Sequence, residues 1–424
     1  MLMHPIYDIV GIGFGPSNLA LAIALTEHNE QAETPVTAVF LERQEAFGWH
    51  RGMLLDDATM QVSFLKDLVT MRNPASRFSF LCYLRDRGRL VDFVNHKNLF
   101  PLRVEFHDYF EWAAAQVDDL VAYNTEAVGV QAIQDDLFEV TTATGDVYHA
   151  RNLVFATGLR PTVPDGVELS DRVWHNSQFL HRIGELENPK RCVVVGAGQS
   201  AAEAVAYLHR EFPGAEVCSV FSRYGYSPAD DSSFANRIFD PEAIDHYYDA
   251  PDAVKQRLMD YHRNTNYSVV DVDLIAQLYR TVYQEKVLGR QRLRMMNMTR
   301  LVAVEETSTS TRAVIQSLVT GEQEVLEADL VLLATGYDEA APLLGSLDET
   351  CARDERGRLV VGRDYRVQSS LRGGIYLQGG TEHSHGITSS LLSNVAVRSG
   401  EILASVLTNT AVLTNTPVPV LATA

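Results

Sequence analysis

IYDIVGIGFGPSNLA at residues 6–20 and CVVVGAGQSAAEAVA at residues 192–206 are written to one plan. Each is an apolar strand, a turn with paired glycines (Gly13 and Gly15; Gly196 and Gly198), and an alanine-rich helix. Such a turn brings the N–H groups that open the helix against a pyrophosphate, where the helix dipole favours negative charge. The residue closing the next strand reads the ribose. In AVFLER (38–43) that is Glu42, suited to a ribose hydroxyl; in VCSVFSRYGY (217–226) it is Arg223, suited to a ribose 2′-phosphate. An FAD-type site followed by an NADPH-type site is a layout for moving hydride onto a flavin. The first copy departs from the pattern at its third position, Asn18. There the helix packs less closely, or the amide bonds locally.

A glycine turn alone is a weak signal, since such turns also occur at ordinary strand–helix corners. Two copies, each preceded by a strand and followed by a ribose-reading residue, are much stronger. The rest of the chain agrees. Its 424 residues suffice for two or three domains, and 46% hydrophobic with 21% charged residues is a globular composition. A net charge of −19 opposes nucleic-acid or anionic-membrane binding. Cys82, Cys192, Cys218 and Cys351 are scattered, with no Cys-x-x-Cys, which fits reduced thiols in the cytoplasm and no zinc site. The N-terminal apolar stretch lacks a basic start and carries Asp8, so it is not read as a signal peptide. No uninterrupted apolar run reaches 18 residues, so no membrane span is expected.

Alternating strand and helix patterns predict a doubly wound α/β architecture with two Rossmann-like domains. A second strand is expected at 36–42, a helix at 105–118, and strands through 120–157. RNLVFATG (151–158) and EADLVLLATGY (327–337) end alike, in Ala-Thr-Gly. Either they mark where the chain passes between nucleotide domains, or they are two unrelated buried strands ending at glycine. The first reading gives a discontinuous FAD domain (1–160 plus 338–407) around an inserted NADPH domain (161–337). Within the latter, residues 227–285 form a mainly helical insertion rich in Tyr, Asn and acidic groups. That composition fits a small-molecule pocket or an oligomer interface. The Pro/Thr-rich segment 408–424 is expected to be a flexible tail.

Several longer stretches resemble the flavin-dependent N-hydroxylating monooxygenases of L-ornithine and L-lysine: MQVSFLKDLVTMRNP (60–74), GAGQSAAE (196–203), DSSFANRIFDPE (231–242), RNTNYSVVD (263–271), ATGY (334–337) and EHSHGITSSLLSNVAVR (382–398). The likeness extends from the first glycine turn to about residue 405, and SFANRIFDPE is closer to the ornithine branch. The resemblance implies FAD and NADPH as cofactors and O2 plus an amino acid as substrates. It implies N5-hydroxylation of L-ornithine through a C4a-hydroperoxide of the flavin. It further implies a role in siderophore or other natural-product biosynthesis, and a homotetramer. No catalytic side chain is expected, since the chemistry is the flavin's, with Asn266 in support.

By the same resemblance, FAD would contact Gly13, Gly15, Pro16, Glu42, Trp49, His50, Gln61 and Ser390–Leu391–Leu392. NADPH would contact Gly196, Gly198, Gln199, Ser200, Arg223 and Asn266–Tyr267–Ser268. The substrate would meet Lys66, Asn236, Asn266 and Ser393. Each has a plainer reading. Trp49 and His50 would serve as core, Lys66 would be a surface lysine paired with Asp67, and the Asn and Ser positions would be loop or cap residues. His383 and His385 are spaced like metal ligands, but nothing nearby completes a coordination sphere, so no metal is expected. The alternatives in play are an L-lysine N6- or diamine N-hydroxylase of the same family, and a non-catalytic nucleotide-binding regulator. A disulfide reductase shares the two-nucleotide layout but needs a cysteine pair that is missing here.

Overall fold

The computed structural model describes residues 5–262, 268–307 and 310–414. Asn266 and Tyr267 lie outside them, as does the end of the chain from residue 415.

Each glycine-turn stretch founds its own sheet. In the first, Ile6–Ile12 lies between Ala38–Leu41 and Val147–Phe155, parallel to both. Val121–Ala122 extends one edge. The strand Val147–Phe155 serves two partners on its other side. Its first half pairs antiparallel with Leu137–Thr142, and its second half pairs parallel with Gly374–Leu377. The second sheet is wholly parallel, in the order Leu293–Met296, Glu216–Val220, Arg191–Val195, Leu330–Leu333, Val173–His175. Its central strands are runs of valine and leucine buried on both faces, as expected where helices or a further sheet cover each side. A three-stranded antiparallel sheet (Thr299–Glu306, Thr311–Ser317, Gln323–Ala328) packs on it. The two Rossmann-like units predicted from the sequence are therefore present.

The helix Pro16–Asn29 is buried continuously from Asn18 to Leu25, because it is covered by the sheet on one side and by Val395–Thr414 on the other. The predicted helix at 105–118 runs Arg103–Ala114. One expectation is corrected. The tail assigned from Thr408 begins too early, since the last helix continues to Thr414. Asn409 is buried there and its amide donates to Asn152 Oδ1 at 2.9 Å, and Ala411 is buried on the same helix. Low charge and Thr content do not make this stretch loose, because its polar Asn409 meets a buried partner.

The segments following the two Ala-Thr-Gly elements, Leu159–Pro161 and Tyr337–Glu339, pair antiparallel with each other. The chain thus leaves the first unit and re-enters it along a single two-stranded strap. Among the described residues no helix is long and apolar enough to cross a membrane.

Candidate functional site

Gly13 has φ +85°, and a Cβ there would lie 2.5 Å from the carbonyl oxygen of Ala156. Gly196 has φ +148°, and a Cβ there would lie 2.2 Å from the carbonyl oxygen of Ala334. Each Ala-Thr-Gly alanine therefore braces the first glycine of its own turn, and no other residue type fits that contact. Gly15 and Gly198 then cap the two helices. Neither helix has a side-chain cap or an acidic residue in its first turn, so the opening N–H groups are left for an outside acceptor. Nothing in the protein lies within 4 Å of where a Gly15 Cβ would stand. This donor set suits a diphosphate.

Asn18 takes the second of its two predicted options. Its amide donates to the Gly13 carbonyl at 2.7 Å and its oxygen accepts from Gln378 at 2.8 Å. It substitutes for close glycine packing with two hydrogen bonds at a fully buried position.

In front of the first turn lies a cavity of about 850 Å³. All the residues expected for FAD line it: Gly13, Gly15 and Pro16 on the turn, Glu42, then Trp49, His50 and Gln61, and Ser390 to Leu392. So do Lys66, Asn236 and Ser393, and from the second unit Gln199 and Ser200. Gly196, Gly198, Arg223 and Ser268 do not line it. Arg223 and Ser268 meet each other instead, with the guanidinium donating to the Ser268 carbonyl at 2.8 Å and to Ser227 Oγ at 3.2 Å.

The local chemistry separates functional from plainer readings. The buried Glu42 carboxylate accepts from the Phe14 and Gln44 N–H groups (2.7 and 2.9 Å), which locks it at the cavity edge. Lys66 does not pair with Asp67. That carboxylate is buried and already accepts from Val69, Thr70 and Phe80 N–H groups and from the Thr70 hydroxyl. The Lys66 ammonium instead lies 5.6 Å above the Phe239 ring, and burial lowers its pKa despite the nearby Asp240. His50 is held in left-handed backbone geometry (φ 56°) between Trp49 and Tyr337. Burial, with Arg103 and His175 close by, pushes its pKa down to about 4, so the ring is neutral near pH 7. Among the described residues the Asn236 amide bonds locally, to the Ser232 carbonyl. The helical insertion is tied to the flavin-side segment by Asn394, whose amide donates to the Phe239 carbonyl at 3.0 Å. His383 and His385 each bond a backbone carbonyl, of Leu359 and Arg363.

Three site residues escaped the sequence reading. Arg103 lines the cavity and forms a bidentate pair with Glu203 of the second unit, at 3.0 and 2.7 Å. Gln199 donates to both Glu203 and Asp271 at 3.0 Å, and Gln61 completes the chain on Asp271. Burial and the neighbouring Glu203 raise the Asp271 pKa. The only advance sign was Glu203 at an inward position of an alanine-rich helix, which does not name its partner 100 residues away.

The family model for L-lysine 6-monooxygenase/L-ornithine 5-monooxygenase matches residues 5–339. An L-ornithine N(5)-monooxygenase from Burkholderia cepacia is 40% identical over 407 residues, covering 91% of each chain. The solved ornithine N-hydroxylase of Kutzneria sp. 744, determined with reduced FAD, NADP+ and L-ornithine, is 47% identical with a TM-score of 0.91, covering 95% of this chain and 99% of that one. The ornithine hydroxylase structure from Pseudomonas aeruginosa is 36% identical with a TM-score of 0.90, covering 96% of this chain and all of that one. Together with the cavity in front of the first braced glycine turn, these matches establish that the chain belongs to the L-lysine 6-monooxygenase/L-ornithine 5-monooxygenase family.

Proposed function

We propose that this chain hydroxylates the side-chain amine of L-ornithine at N5, using FAD, NADPH and O2. One observation carries the reading: a single cavity is lined by the first glycine turn, the opening residues of the second helix, and Lys66, Asn236 and Ser393. The relatives at 40% and 47% identity are named for ornithine, which supports that substrate over lysine. Residues 1–160 with 338–407 would hold FAD, residues 161–337 would hold NADPH, and 227–285 would contribute the substrate wall.

FAD, when bound, supplies the acceptor for hydride and the means of activating O2. The chain's own residues do the remaining work. The turn through Gly13, Gly15 and Pro16 would bring the N–H groups that follow Pro16 to its diphosphate, and Glu42 would accept from its ribose. Trp49 and Leu391–Leu392 would give the ring system apolar walls, while Gln61, His50 and Ser390 would offer polar groups. Gly196, Gly198, Gln199 and Ser200 would do the same for NADPH, with Arg223 at the 2′-phosphate and Ser268 beside it; Asn266 and Tyr267 belong to this proposal from sequence alone. Lys66 would hold the amino-acid carboxylate as a point charge, with Asn236 and Ser393 bonding the amine ends. The amine must be neutral to act as a nucleophile.

The diamine alternative has no use for Lys66, whereas the lysine alternative differs by a methylene, worth about 1–3 kcal/mol in a pocket. The exposed Tyr279, Tyr283, Val287 and Leu288 on the helix Val272–Leu288 suit an interface between copies of this chain, while the homotetramer, the cytoplasmic location and the siderophore or related product rest on the family resemblance alone. The deciding experiment measures hydroxylamine formation with ornithine, lysine and putrescine, alongside NADPH and peroxide. Lys66→Ala should keep FAD and basal NADPH oxidation but divert it to peroxide. Normal hydroxylation at unchanged ornithine KM would reject Lys66 as the anchor. NADPH oxidation that responds to no amine would favour a non-catalytic regulator.

A further inference from the structure

Arg398 stands on the inward side of the last helix and is 2% exposed. No carboxylate among the described residues forms an ion pair with it. The nearest candidate, Glu401, is taken by Arg363, which donates to both its oxygens at 2.9 and 3.0 Å. Arg398 donates instead to the Ser389 and Thr388 carbonyls (2.6 and 3.4 Å) and to Ser17 Oγ (3.2 Å), and its Nε has no partner. Those carbonyls belong to the short helical turn Ile387–Ser390, whose end favours a cation. Helix-end partial charges do not balance a whole charge removed from water, so a cation this deep calls for an anion.

A second observation marks the same place. Gln378 Oε1, Thr388 Oγ1 and Ser389 Oγ are also buried with no hydrogen-bond partner. Native proteins leave few such atoms, and here two of them belong to the residues whose carbonyls Arg398 holds, while Gln378 lines the cavity. Ser17 is the second residue of the helix opened by the first glycine turn and lines the cavity, as does Ser390 on the other side. Arg398 thus reaches from behind the wall to both the helix N-terminus and the segment facing it.

We propose that Arg398 is a positioning residue whose buried charge is balanced by the diphosphate of bound FAD, acting through Ser17 and the Thr388–Ser389 backbone. The inference rests on the FAD reading above. It requires that the charge serve the ligand and not the fold. Removing it should therefore weaken FAD while sparing, or even stabilising, the FAD-stripped protein, because an apolar replacement ends an uncompensated burial.

The test uses the full chain as wild type, Arg398→Met and Arg398→Lys. FAD and ADP dissociation constants and FAD-stripped melting temperatures are measured for each. Arg398→Met should raise both dissociation constants at least tenfold with no fall in the FAD-stripped melting temperature. Arg398→Lys, which keeps the charge, should stay within about threefold of wild type. Unchanged FAD affinity in Arg398→Met would overturn the inference. So would a fall in FAD-stripped stability, insolubility of that variant alone, or a lysine variant no better than methionine. A wild-type protein that binds no FAD would overturn the proposed function itself, a separate result.

Discussion

Glu203→Leu tests the contact between the helix Arg103–Ala114 of the first unit and the helix Gln199–Glu211 of the second. Its carboxylate and the Arg103 guanidinium are 5% and 8% exposed and meet through two hydrogen bonds of 2.7 and 3.0 Å. After the substitution Arg103 would retain only the carbonyls of Met53 at 2.9 Å and Thr59 at 3.5 Å. Stranding one partner of a buried pair costs about 3–5 kcal/mol, a large share of a domain's usual stability of about 5–15 kcal/mol. For a unit of this size that is a fall in melting temperature of about 6–20 °C. Arg103→Leu strands Glu203, which keeps its bond from Gln199, so its loss should be no larger. The Arg103→Leu/Glu203→Leu double variant removes both charges and should return to within about 1–2 kcal/mol of wild type. The assay is thermal and urea unfolding of all four proteins, with NADPH KM as a second readout because Glu203 lies one helical turn from Gln199. Losses that simply add in the double variant would refute the claim that the pair acts as a unit.

Other outcomes follow from single contacts. Gly15→Ala meets no protein atom, so the FAD-stripped protein should melt normally while FAD affinity falls at least tenfold; Gly13→Ala, 2.5 Å from the Ala156 carbonyl, should not fold to a stable protein at all. A Gly15→Ala protein with wild-type FAD affinity would remove the diphosphate from that helix end. Arg223→Ala should raise KM for NADPH about tenfold or more and leave NADH use little changed, and equal losses with both would reject the 2′-phosphate role. His385, stacked on Tyr365, has its pKa pushed down to about 4 by burial. The unfolded chain therefore binds the extra proton between pH 6.5 and 4, so stability is full above about 6.5 and declines as pH falls through that window. His385→Gln should flatten part of that decline in a melting-temperature profile, and an unchanged slope would show that His385 does not contribute to it.

The local plan was legible because it is written in contiguous residues. Strand, glycine turn and helix follow one another in a few positions, and Glu42 and Arg223 each close the next strand. Both Ala-Thr-Gly elements were visible too, but only as similar strings. What they do, bracing Gly13 and Gly196 across the sheet and zipping the crossing segments together, depends on strands distant in sequence becoming neighbours. The end of the last helix was not legible for the same reason. Composition from Thr408 onward says polar and uncharged, and only the groove offering Asn152 makes Asn409 a buried residue.

The sequence by itself determined two nucleotide-type units and the order in which they occur, since those signals are short-range spacings; motif identities named many residues of the cavity but not Arg103. Tertiary structure decided which charges were committed and which were left over. Asp67 is consumed by backbone N–H groups, which frees Lys66 for the cavity. Glu203 is spent on Arg103, whereas Arg398 is left without an anion. Charge pairing is settled by distance and burial in three dimensions, and neither is a property of neighbours along the chain.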